Sequence, residues 1–163
     1  MKRISAWSRE RVPTHAILFA MEYAGARYFY QKNLQGDIIG LIDSTGMEVV
    51  TYTYDTWGKL LSKTDGSGNG LVEKNPFRYR RYYYDAEVGL YWLQSRYYDS
   101  ETRRFVNADG YVSTSQGLNG NNMFIYCGNN PINNVDPSGM LWEKIKKRIK
   151  KVKKSIKKAS KKL

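Results

Sequence analysis

Apolar and polar positions alternate with a period of two along "EVVTYTYD" (48–55), the pattern of a strand with one buried face. Around it, "YFYQKNLQGDIIGLID" (28–43) and "YTYDTWGKLLS" (52–62) share one plan. Each runs Tyr-x-Tyr, then a polar turn holding Gly36 or Gly58, then an apolar strand, which predicts two β-hairpins. "TDGSGNG" (64–70) predicts a flexible loop. A tighter duplication follows: "YYDAEVGLYWL" starts at Tyr83 and "YYDSETRRFVN" at Tyr97, an offset of 14 residues. Each copy predicts strand, Asp-x-Glu turn, strand. Units this short cannot bury a face alone, so they must stack into a larger sheet or solenoid. Residues 107–139, rich in Asn, Gly and Ser, predict irregular loops with one short strand around 124–126, ended by Pro137 and Gly139.

The period then changes. Leu141, Trp142, Ile145, Ile149, Val152, Ile156, Ala159 and Leu163 follow one another at steps of mostly three or four. That spacing predicts an amphipathic α-helix with one apolar stripe, about 35 Å long. Lysines, among them Lys144, Lys147, Lys151, Lys154 and Lys158, occupy the remaining arc.

Charge sharpens this boundary. Residues 141–163 hold 12 Lys and Arg against one acid, Glu143, and so carry nearly all of the chain's net charge of +12. The pI of about 9.7 describes the tail, and the body is close to neutral. Fourteen tyrosines reinforce the β reading, because tyrosine suits a half-buried pleated surface. With His15 the only histidine and Cys127 the only cysteine, an intrachain disulfide framework, a cysteine metal site and Ser-His-Asp chemistry are not expected. No cofactor, metal or small-molecule substrate is implied. Residues 1–26 offer a basic start and a short apolar run, "AILFAM", cut off by Glu22; they read as a poorly specified leader without a convincing signal peptide.

An isolated helix this rich in lysine repels itself, so it calls for a polyanionic surface. An anionic bacterial membrane supplies countercharge together with an apolar layer for the Ile stripe, with Trp142 at the interface. On this reading Leu141, Trp142, Ile145, Ile149, Val152 and Ile156 insert, and the five lysines named above meet lipid headgroups. A nucleic-acid backbone, contacted through counterion release, is the competing polyanion. A stub or partner-binding tail is the third reading.

"YTYDTWGKLL" is similar to the tyrosine-aspartate (YD) repeats of Rhs proteins. "NPFRYRRYYYDAEVGLYWLQSRYYDSETRRFVNADG", followed by "NMFIYCGNNPINNVDPSG", resembles the Rhs repeat-associated core domain in its Gram-positive, wall-associated form. The resemblance spans roughly residues 27–140. It implies repeats that wind into a hollow β-cocoon, a core that plugs one end, and a variable C-terminal toxin held inside. It further implies interbacterial competition, a secreted or cell-surface location, an immunity partner, and a longer shell of which this chain is the terminal piece.

The resemblance also implies cleavage after a motif of the form Pro-x-x-x-x-Asp-Pro-x-Gly-Leu. Pro131, Asp136, Pro137 and Gly139 match it, with Met140 in the Leu place, so the implied junction is Met140–Leu141. Family members resemble aspartic proteases in using two Asp with an Arg nearby, and the matching positions are Asp109, Asp136 and Arg96. Any such activity is at most a single-turnover aspartyl autoprotease. The bland alternative is that the two Asp cap turns and Arg96 is a satisfied sheet residue. Arg81 and Arg103 stand where the family has a turn glycine.

The expected architecture is therefore mainly β. It comprises a leader (1–26), YD-type repeats with a Gly-rich loop forming a partial cocoon (27–75), an irregular core plug (76–140) and one amphipathic helix (141–163). The expected function is a core fragment carrying a membrane-active, antimicrobial-like toxin tail released after Met140. The alternatives are a structural remnant of a larger shell or a nucleic-acid-contacting basic tail.

Overall fold

The computed structural model describes residues 18–109 and 122–140. Five strands form an antiparallel meander in chain order: β1 (Ala20–Tyr23), β2 (Ala26–Lys32), β3 (Ile38–Ile42), β4 (Glu48–Tyr54) and β5 (Leu60–Asp65). A second, smaller meander follows from β6 (Tyr83–Asp85), β7 (Leu90–Trp92), β8 (Tyr97–Asp99) and β9 (Arg104–Phe105). Helix among the described residues is confined to single turns, the α-helical one at Leu71–Lys74.

The alternation along β4 fixes its faces. Val50 and Tyr52 are buried, while Thr51 and Thr53 pair across the outer face with Thr64 and Ser62, hydroxyl to hydroxyl, at 2.5 and 2.7 Å. One apolar cluster lies under this sheet, built from Met21, Tyr28, Ile38, Leu41, Val50 and Tyr52 and closed by Leu71, Val72 and Phe77. A second cluster, centred on Tyr79, Tyr82, Tyr91, Tyr98, Phe105 and Tyr126, underlies the small sheet. Buried tyrosines need partners for their hydroxyls. Three of them find partners on one turn: Tyr79, Tyr98 and Tyr91 donate to the carbonyls of Thr56, Trp57 and Gly58 at 2.9, 2.7 and 2.9 Å. The β4–β5 turn thus plugs into the second cluster and locks the sheets together.

The turns share one chemistry. Asn33, Asp43 and Asp55 each accept, through Oδ1, the amides two and four residues on, at 2.8–3.0 Å. A glycine stands three residues on in each case (Gly36, Gly46, Gly58), with φ of 86–87°. Short polar side chains at the first position and glycine at the left-handed one are what such a turn requires. In the small sheet, Asp85 and Asp99 accept the amides of Glu87 and Glu101, which are the expected Asp-x-Glu turns. Gly89 fills the left-handed position in the first copy and Arg103, at φ 62°, in the second. Arg81 is also left-handed at 62°, so both arginines at turn-glycine positions adopt the glycine conformation.

Three local expectations are corrected. The leader gives way to a strand at Ala20, because Ala24 and Gly25, both at positive φ, make a two-residue hairpin turn. Glu22, which ends the apolar run, is the cross-strand ion-pair partner of Arg27 at 2.7 Å. The 64–70 loop is tied down, since Asp65 accepts the amides of Ser67 (2.9 Å) and Val72 (3.0 Å). The strand expected at 124–126 shrinks to a single bridge between Ile125 and Arg104. The helix expected over 141–163, with every membrane-binding residue assigned there, lies outside the described residues.

Candidate active site at the C-terminal junction

Arg96 follows the β7–β8 turn, where Gln94 takes a left-handed backbone (φ 71°). This turns three consecutive residues onto three consecutive carbonyls of the C-terminal segment. Gln94 Nε2 donates to Pro137 O (3.1 Å), Ser95 Oγ to Ser138 O (2.7 Å) and Arg96 Nε to Gly139 O (2.6 Å). The approach is close enough to require glycine at 139. A Cβ there would lie 2.5 Å from Ser95 Oγ and 3.1 Å from Leu93 O, and φ is 69°.

The Arg96 guanidinium is buried, with Cζ over the Phe105 ring, 3.6 Å from its centroid. Its Nη1 donates to Met123 O at 3.0 Å, and its Nη2 lies 3.3 Å from Asp109 Oδ2 and 3.9 Å from Asp136 Oδ2. Burial pulls its pKa below the ordinary value and the two carboxylates oppose that shift. Arginine nevertheless keeps its charge in proteins. The structure therefore brings Arg96, Asp109 and Asp136 together, next to Met140.

Asp136 has two faces. Oδ1 accepts the amides of Ser138 (3.4 Å) and Met140 (3.0 Å), the same two-and-four pattern as in the repeat turns, with Gly139 at the third position. Oδ2 is turned towards Arg96. Turn-capping and placement in a charged cluster are thus properties of one side chain. Its carbonyl accepts the hydroxyl of Tyr82 at 3.0 Å, which also meets Tyr126 Oη at 3.1 Å. Asp109 is anchored by its amide to Met123 O (2.9 Å) and is the more exposed carboxylate, 17% against 6%. Leu141, the far side of the junction that the resemblance implies, is outside the described residues. Cys127 lies beside this cluster, and burial pushes its thiol pKa up to about 12, so it is no nucleophile near neutrality.

Sequence reasoning did not find Gln94, Ser95 or Tyr82 at this site. The Asx-x-x-Gly spacing common to positions 33, 43, 55 and 136 was a usable signal for the junction turn.

No protein-family profile matches the chain. Among curated proteins it is 43% identical over 113 residues to the tRNA nuclease WapA of Bacillus subtilis (strain 168), covering 69% of this chain and 5% of that one. It is 31% identical over 98 residues to the double-stranded DNA deaminase toxin A of Burkholderia cenocepacia (strain H111), covering 60% and 6%. Among solved structures the TcdB2-TccC3-Cdc42 crystal structure matches with a TM-score of 0.64 and 24% identity, over 73% of this chain and 5% of that one. The chain thus spans about one-twentieth of the length of these relatives. The fold and site define a β-meander segment whose residues 94–96 hold a turn at 136–140. The relatives support the Rhs-type, polymorphic-toxin family broadly.

They also overturn the membrane-active reading of the tail. The activities in the relatives' names are a tRNA nuclease and a DNA deaminase, and both act on nucleic acid. A lysine run specifies a polyanion without saying which one, and phosphate backbones satisfy it as well as anionic lipid does. Helical spacing of Ile and Val does not break that tie.

Proposed function

We propose that this chain is the core-and-junction segment of an Rhs-type toxin shell. It holds a C-terminal segment directed at nucleic acid and severs it at Met140–Leu141. Residues 27–75 act as the shell-type repeats and 76–140 as the core. The observation that supports this best is the placement of Arg96. It grips the carbonyl of Gly139, one residue before the junction, while its Nη2 faces both Asp109 and Asp136.

In this reading Asp109, the more accessible carboxylate, takes a proton from water as the water oxygen bonds to the Met140 carbonyl carbon. The C–N bond to Leu141 breaks and the proton passes to the departing amine. Arg96 keeps two neighbouring carboxylates ionised at low cost; Asp136 Oδ1 holds the turn that presents the bond, and the charge on Oδ2 holds the Arg96 guanidinium beside Asp109. Each chain is cut once, because the site and its substrate are the same molecule.

Intact mass spectrometry of the purified full chain tests this. The wild type separates into residues 1–140 and 141–163, whereas Asp109→Asn and Asp136→Asn stay whole, with cutting slowed about 100-fold or more. Cleavage of Asp136→Asn at the same bond would assign the cut to an external protease.

The tail is proposed to contact phosphate backbones. In the uncut Asp109→Asn chain, binding to tRNA or duplex DNA should weaken steeply with salt. Replacing Lys144, Lys147, Lys151, Lys154 and Lys158 by Gln should then reduce the log–log salt slope for duplex DNA by about 4. An unchanged slope would place the contact elsewhere.

A further inference from the structure

The segment 131–140 is held at both ends by buried guanidiniums. Arg96 grips Gly139; Arg80 grips the other end, its Nη2 donating to Pro131 O at 2.6 Å. Arg80 also reaches into the first sheet. Its Nη1 donates to Gln35 O (3.1 Å), its backbone amide donates to Asp37 Oδ1 (2.9 Å), and its Nε lies 3.5 Å from that same oxygen. Asp37 is in turn fixed by Asn33, whose Nδ2 donates to Oδ2 at 2.7 Å. Both charged side chains are almost wholly buried. Arg80 keeps a left-handed backbone, φ 51°, which an L-residue holds only when its surroundings require it.

The β2–β3 turn is a shell-type repeat turn, and Pro131 is the first residue of the junction motif. One buried arginine therefore links them, to Asp37 across 43 residues and to Pro131 across 51. We propose that the Asp37–Arg80 pair is a positioning device that makes the junction competent only once the repeat sheet has docked, so that cleavage reports completed folding of the shell segment. This rests on the self-cleavage reading. Arg80 acts through the placement of 131–140 and is a positioning residue.

A geometric misplacement of about 1 Å can cost 100-fold in rate. The test compares wild type, Asp37→Asn, Arg80→Lys and Arg80→Ala as full chains, with the cutting rate followed by intact mass. Each variant is also made with Asp109→Asn, and amide exchange is read there at Asn134, Ser138 and Met140. Arg80→Ala is expected to slow cutting 10- to 100-fold and to speed exchange at those three amides, while Tyr91 and Tyr98 in the small sheet keep wild-type protection. Millimolar methylguanidinium, far below denaturing levels, should restore part of the Arg80→Ala rate, which it could not do for a chain that had simply lost its fold. Arg80→Lys should fall between, since an ammonium keeps the charge but cannot span Gln35 and Pro131 together.

Wild-type cutting with Arg80→Ala equally fast would overturn the positioning role and leave self-cleavage standing. So would slowed cutting with no change at the three amides, because the effect would then bypass the segment. A wild type that never cuts overturns the self-cleavage reading itself, and this proposal with it.

Discussion

Gly58→Ala is expected to destabilise the chain by about 3 kcal/mol or more, although it adds a single methyl group to a turn. Two costs combine. At φ 86° an alanine sits in the left-handed region, which costs roughly 1–2 kcal/mol. The added Cβ would also lie 2.6 Å from Cγ and 2.8 Å from Cε1 of the Tyr79 ring. That ring cannot step aside, being packed against Tyr54, Tyr82 and Tyr91 with its hydroxyl held by Thr56 O. Overpacking of this kind typically costs 1–3 kcal/mol. Moving the turn instead would break the three tyrosine hydrogen bonds that join the sheets. Gly46→Ala is the control: it has the same turn chemistry and φ (87°), yet nothing lies within 4 Å of its added Cβ. It should lose only the conformational part, about 1–2 kcal/mol. Urea unfolding of the full chain, followed by near-ultraviolet circular dichroism of the tyrosines, reads both. Equal losses at the two glycines would mean that the Tyr79 contact adds nothing.

The large sheet was legible because its signal is local. Period-two alternation at Val50 and Tyr52 and turn glycines at 36 and 58 sit within a few residues of the features they specify. The 14-residue duplication likewise announced β6–β9. What remained hidden depends on distance across the fold. Nothing in the string "YTYDTWGK" says that three carbonyls of this turn will meet tyrosines 23 to 41 residues away. Arg80 shows the same limit. Its neighbour Arg81 stood out as a departure from glycine, but the buried guanidinium that spans two turns is Arg80. The catalytic candidates were reached through resemblance, and the alternative of a turn cap was equally visible. For Asp136 the two do not compete, since one oxygen caps and the other faces Arg96. The tail misled for a different reason: amphipathic spacing and charge constrain a partner's sign and not its chemistry.

Arg96→Met should be the most damaging substitution at this turn, costing about 3–5 kcal/mol, because it takes the guanidinium away from the buried Asp136 and half-buried Asp109 carboxylates. It would also remove the donors to Gly139 O and Met123 O and the cation over Phe105. Electrostatic and carbonyl contributions can be separated, because Asp136→Asn is a clean partner change. An Asn side-chain oxygen can still accept the amides of Ser138 and Met140, so the turn persists while the charge goes. In the wild-type background Asp136→Asn should destabilise the chain, since it removes a carboxylate from a buried guanidinium. In the Arg96→Met background the same change should stabilise it, because one of two mutually repelling carboxylates is gone. A coupling of about 1–3 kcal/mol is the expected size for groups in direct contact. Arg96→Lys should lie between wild type and Arg96→Met, keeping the charge while losing the fork that reaches both carbonyls. Urea unfolding of the four chains of the cycle measures the coupling. A value near zero would reduce the 3.9 Å approach of Arg96 to Asp136 to mere proximity. A reversal of sign between backgrounds would make the guanidinium the group that lets two carboxylates share the junction.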